Sequence, residues 1–143
     1  MKTLRGIAIT IAAVSLALFQ LEVSAAEAAD VKVKNGWVSL PLLDDEPAQA
    51  YFLLQNYGEA RKLVGASSAH AERIEIHRAG PDVSTQKIDE WELPVNGSVL
   101  FSPGGLLLVL FAPKDLELGK TISIELAFAD GDKLSLEAVV KDE

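Results

Sequence analysis

Two histidines, His70 and His77, are the only imidazoles in a chain with no cysteine and a single methionine, Met1. Thiol catalysis, thiolate metal sites and iron–sulfur clusters are therefore excluded. A soft metal such as Cu(I) wants two or more soft donors, which one imidazole does not supply. His70 and His77 lie seven residues apart, an odd spacing that puts them on opposite faces of a continuous strand. His70 is expected in the loop before the strand, so a shared metal would require that loop to fold over. His77 is the candidate metal ligand. Asp44-Asp45-Glu46, bounded by Pro41 and Pro47, offers oxygen donors. It lacks the alternating spacing and glycine of a calcium loop and reads as a solvated acidic loop. Ser67 and Ser68 lie near His70, but no nucleophile elbow and no orienting third group accompany them. The chain reads as non-enzymatic.

The elements that must position these residues are short β-type runs separated by turn residues. They fall at 31–40, 50–55, 61–66, 72–77, 86–93, 97–101 and 106–111, followed by a hairpin over 121–140 with Asp130-Gly131 at its turn. ERIEIH (72–77) alternates, with Arg73, Glu75 and His77 on one face and Ile74 and Ile76 on the other. LLLVLF (106–111) does not alternate. A strand with one wet face should, so either both of its faces are covered or one face has lost polar residues. Trp37, Tyr51, Phe52, Trp91, Phe101, Phe111 and Phe128 read as core or core edge. Eight or nine short strands without repeats or linkers predict a single all-β domain, a sandwich or Greek-key barrel.

The first 25 residues read as a secretory signal peptide, with Lys2 and Arg5 ahead of an apolar stretch from Gly6 to Leu21. Cleavage is expected after Ala25, or as late as residue 28, leaving a domain over 26–143 in the periplasm and no membrane insertion. Processing after Ala25 removes two of the 13 basic and one of the 21 acidic residues, so the mature net charge is −9. That charge argues against nucleic acid and anionic membranes as partners. Without cysteine, the domain is stabilised by its core.

Four stretches resemble the periplasmic copper chaperone PCu(A)C family: the Trp37-Val38 pair closing the first strand, AYFLLQN (50–56), LVGASSAHAERIEIH (63–77) and SPGGLLLVL (102–110). The resemblance implies a cupredoxin-like Greek-key fold, copper as the cofactor, and a cuproenzyme such as a terminal oxidase, or another copper carrier, as partner. It also implies a ligand set of two histidines and two methionines. His77 matches the first. The stretch holding a methionine in the family reads Gln86-Lys87-Ile88, and Leu107 and Val109 stand where the family has His and Met. By this reading the apolar run is a metal strand without its ligands, and Leu107, Val109 and Ile88 are expected to form an apolar patch beside His77. Two functions follow. One is copper handling or delivery, with most ligand positions substituted. The other is a non-metal binding or protein-interaction module using the apolar patch.

Overall fold

A computed structural model describes residues 27–82 and 84–142; the expected signal segment lies outside them. The described residues form ten strands and no helix: β1 (Val31–Ser39), β2 (Ala48–Asn56), β3 (Arg61–Ser67), β4 (Arg73–Ala79), β5 (Thr85–Ile88), β6 (Trp91–Leu93), β7 (Ser98–Phe101), β8 (Leu106–Phe111), β9 (Thr121–Phe128) and β10 (Lys133–Lys141). Strands β4, β8, β7, β2, β1, β10, β9 and β3 follow one another around a ring that closes where β3 meets β4 at Ala66 and Ile74. The fold is an all-β, cupredoxin-like barrel. Most pairings are antiparallel; β1 with β10 and β7 with β8 run parallel.

Alternation decides what fills the barrel. Ile122, Ile124, Leu126 and Phe128 of β9 point inward with Leu134, Leu136, Ala138 and Val140 of β10, while their polar neighbours face water. Phe52 and Phe101 are register partners across β2 and β7 and stack with ring centroids 4.4 Å apart. The run expected over 86–93 is two strands, separated at Asp89-Glu90. β5 pairs with β4, and β6 with β3, so the break lets one segment serve two edges.

A bulge in β1 has a large effect. Between Lys34 and Trp37 the register of β1 against β2 gains one residue. Asn35 takes a positive φ of 56°, and a Cβ on Gly36 would lie 2.5 Å from the Glu137 carbonyl oxygen. An extra residue inverts the facing of everything after it. Val31 and Val33 point inward before the bulge, and Trp37 is turned outward after it, with Val38 inward.

Two polar devices fasten the loops. Asn56 is 2% exposed. Its amide nitrogen donates to the carbonyls of Glu59 (2.7 Å) and Pro94 (2.9 Å), and its oxygen accepts the Gly58 N–H (3.1 Å). Arg61 donates to Asp30, Asp130 and Asp132 at 2.6–2.8 Å, joining the start of the described chain to the β9–β10 turn. Its pKa is raised above the ordinary value, first by the Asp132 hydrogen bond.

Replacing Asn56 with Ala leaves two carbonyls and an amide without partners in a buried site. The expected loss is about 2–3 kcal/mol in urea unfolding with an unchanged slope. Asn56→Asp should lose at least as much, since a carboxylate faces two carbonyl oxygens.

Candidate functional site

The expected site lies on the outer face of the barrel, where β4, β8, β2 and β1 run side by side. Cross-strand partners point to the same side. His77 is opposite Leu107, Glu75 opposite Val109, and Arg73 opposite Phe111. The ERIEIH alternation holds as read, with Arg73, Glu75 and His77 outward and Ile74 and Ile76 in the core.

Both faces of β8 are covered. Leu106, Leu108 and Leu110 fill the barrel. Leu107 (3% exposed) and Val109 (5%) form a second cluster with Tyr51, against which Trp37 and Phe111 pack. Trp37 and Tyr51 lie 4.6 Å apart between ring centroids. The expected patch is thus a buried outer cluster, roofed by aromatic rings. Above Leu107 lies a cavity of about 420 Å³, walled by residues 79–82, Ser84 and Thr85 on one side and by Pro103, Gly104, Gln49 and Tyr51 on the other.

Ile88 does not join this cluster. It pairs with Ile76 and packs on the inner core, and Gln86 pairs with Arg78 on the same parity. The residue of β5 that shares the face of His77 is Lys87. A one-residue shift in register moves a side chain to the other face, which is why the expectation that Ile88 lies beside His77 fails.

Both ring nitrogens of His77 are engaged. Its Nε2 lies 3.1 Å from Glu75 Oε2 and its Nδ1 2.8 Å from Thr85 Oγ1. An ionised carboxylate only accepts, so Nε2–H donates to Glu75. In the neutral ring Nδ1 then accepts the Thr85 hydroxyl. Glu75 Oε1 also takes Arg73 Nε at 3.3 Å and Lys87 Nζ at 3.7 Å. The His77 hydrogen bond is the first cause that holds the Glu75 carboxyl below its ordinary range, and the charges of Arg73 and Lys87 add to it.

Cu(I) does not fit these residues. Leu107 and Val109 offer hydrocarbon, the described residues contain no sulfur, Lys87 brings a positive charge, and both His77 nitrogens have partners. His70 sits in the loop before β4. Its Nδ1 lies 3.1 Å from the Lys114 carbonyl, and the Lys114 N–H donates to the His70 carbonyl. Four strand residues, roughly 13 Å, separate Arg73 beside that loop from His77. Asp44 and Asp45 are exposed, and Glu46 accepts the Leu43 N–H at 3.3 Å. Among the described residues no three His, Asp or Glu side chains converge as a metal site. Trp37, Asn56 and Arg61 were not legible as key residues. The Asn35-Gly36 pair, not singled out in the sequence, is the one local signal from which the bulge could have been read.

Leu107→Ala should cost about 2–4 kcal/mol, as for a truncated core leucine. The Glu75 carboxyl, with its lowered folded pKa, contributes stability that is present above the ordinary value of 4.5 and is lost as pH falls through the lower folded value. Glu75→Gln should therefore flatten the acid limb of the stability–pH curve while leaving its alkaline limb unchanged.

Comparison with known proteins bears on the family and the fold. The family described as "LpqE-like: Putative lipoprotein LpqE-like" matches residues 31–140. A protein of Leifsonia xyli subsp. xyli, "Putative lipoprotein Lxx21020", is 28% identical over 122 residues, covering 81% of this chain and 72% of its own. The copper-bound PCuAC domain from PmoF2 shares the fold at TM-score 0.69 and 24% identity, over 80% of this chain and 94% of that one. The apo form of DR1885 from Deinococcus radiodurans aligns at TM-score 0.61 and 26% identity, over 84% of each chain. With a family match across the whole barrel and the fold of PCuAC domains, the chain belongs to the LpqE-like lipoprotein family, a family of PCuAC type.

Proposed function

We propose that this chain is an exported member of its copper-chaperone-like family that acts as a protein-interaction module and does not carry copper on the fold's metal face. The observation that carries this reading is the burial of Leu107 and Val109 beside a His77 whose two nitrogens are hydrogen-bonded. Hydrocarbon replaces soft donors, and the ion pairs of Glu75 with Arg73 and Lys87 hold the remaining polar atoms. Export to the periplasm rests on the signal-type segment over residues 1–25 and on lipoprotein names among relatives. The 143 residues contain no cysteine to carry a thioether-linked lipid. No catalytic role is assigned.

A second reading has one observation in its favour. His77 occupies the position at which the family resemblance places its first copper ligand, and a copper-bound domain shares the fold. Under that reading the chain handles copper weakly and passes it to a cuproenzyme or another carrier.

Anaerobic competition for Cu(I) against a chromogenic chelator separates the two. The chelator should keep its copper at equimolar protein, and His77→Ala should change nothing. One-to-one transfer to the protein, lost in His77→Ala, would instead establish copper handling. In the double variant Leu107→His/Val109→Met, burial of an imidazole should lower stability without metal by about 1–3 kcal/mol. Cu(I) should then restore it.

A further inference from the structure

The outer cluster is bounded at each end by a cation over an aromatic ring. The Arg73 guanidinium carbon lies 4.0 Å from the Phe111 ring centroid, and Lys141 Nζ lies 5.5 Å from that of Trp37. Between them Tyr51 and Val109 are buried, and the partly exposed rings of Trp37 and Phe111 pack over them. A band thus crosses β4, β8, β2, β1 and β10, roughly 20 Å at the usual strand spacing, and its accessible apolar part is those two rings. Lys87 stands beside it, and Val139, the register partner of Trp37, is partly exposed at 38%. In an acidic chain this face carries Arg73, Lys87 and Lys141, the first two paired with Glu75, and Glu137 lies on the same side of β10 as Lys141, so the cations exceed the carboxylates by one.

The complementary surface belongs to the same chain. Loop 40–47 carries Leu42 and Leu43 at 84% and 60% exposure, followed by Asp44, Asp45 and Glu46. It starts beside the band, with the Leu40 N–H donating to the Lys141 carbonyl. Two bare leucines leading three carboxylates match an aromatic–aliphatic band edged by cations in both hydrophobicity and charge. Because loop and band are neighbours, two copies can exchange them about a two-fold axis, each loop lying on the other's band.

We propose that the chain pairs with a second copy through loop 40–47 and the band from Arg73 to Lys141. This rests on the reading that the face meets protein rather than metal. Attraction between opposite charges makes the pairing salt-sensitive, while the leucines anchor it.

Residues 26–143, which contain every described strand, are the material for sedimentation velocity from low to high micromolar concentration. A monomer–dimer equilibrium is expected, weakened at least about tenfold by Leu42→Asp/Leu43→Asp and by high salt. The leucines are exposed, so thermal unfolding of that variant should match the parent. Lys141→Glu and Asp45→Lys should each weaken self-pairing. Mixed together, they should form a heterodimer near parental strength, which native mass spectrometry resolves, because one interface is swapped and the other is parental. A contact between Lys141 and Asp45 within one copy would give no such recovery.

A chain that stays monomeric throughout, a dimer indifferent to the leucine variant, or a mixture without recovery would each overturn the proposal. Cu(I) competition on the same samples keeps the two levels apart. A monomer that ignores copper overturns self-pairing alone. Tight copper binding through His77 overturns the underlying reading, whatever the oligomeric state.

Discussion

Strand β8 has no polar side, and the rest of the site follows from covering it twice. Inside, Leu106, Leu108 and Leu110 are covered by closure of the barrel. Outside, Leu107 and Val109 need a second cover, supplied by Tyr51, Trp37 and Phe111. That cover depends on a single extra residue in β1. Without the bulge at Asn35-Gly36, Trp37 would point into the barrel and the outer leucine would lose part of its roof. Arg73 and Lys141 finish the edge by laying their long side chains along the rings while keeping their charges in water.

This arrangement changes what His77 can do. On a face with free soft donors, a strand imidazole is one ligand of several. Here it stands among hydrocarbon on one side and a carboxylate network on the other. Glu75 takes its Nε2–H, Thr85 meets its Nδ1, and Arg73 and Lys87 balance the Glu75 charge. The network satisfies groups that would otherwise be costly in a half-dry setting. It holds the imidazole in place and leaves little reason for a cation to enter. Under the proposed reading, the residues that offer a metal no soft donor also give the face its aromatic and basic character.

Much of the barrel was legible in the sequence because period-two alternation is a direct image of facing. The 121–140 hairpin and ERIEIH came through intact, and the unbroken run 106–111 correctly signalled an exceptional strand. Of its two explanations the structure shows one, both faces covered; the absence of ligands from the outer face is what the family resemblance implies. The facing of Trp37 was not legible, since a bulge is a register event between two strands and leaves almost no mark on one. The same holds for Lys87 against Gln86 and Ile88, where a shift of one position decides which side chain meets His77. Arg61 acts through partners between 31 and 71 residues away, such as Asp30 and Asp132, and Asn56 joins its local partners Gly58 and Glu59 to Pro94, 38 residues on; no local pattern announces the distant partners.

The central claim is that His77 is held by protein groups and not held available for copper. The most direct measurement is a long-range ¹H–¹⁵N correlation spectrum of the imidazoles, recorded anaerobically before and after one equivalent of Cu(I). The account predicts a His77 Nε2–H in hydrogen-bonded form whose two nitrogen shifts do not move on adding the metal. A stoichiometric shift of one His77 nitrogen, with His70 unchanged, would contradict it.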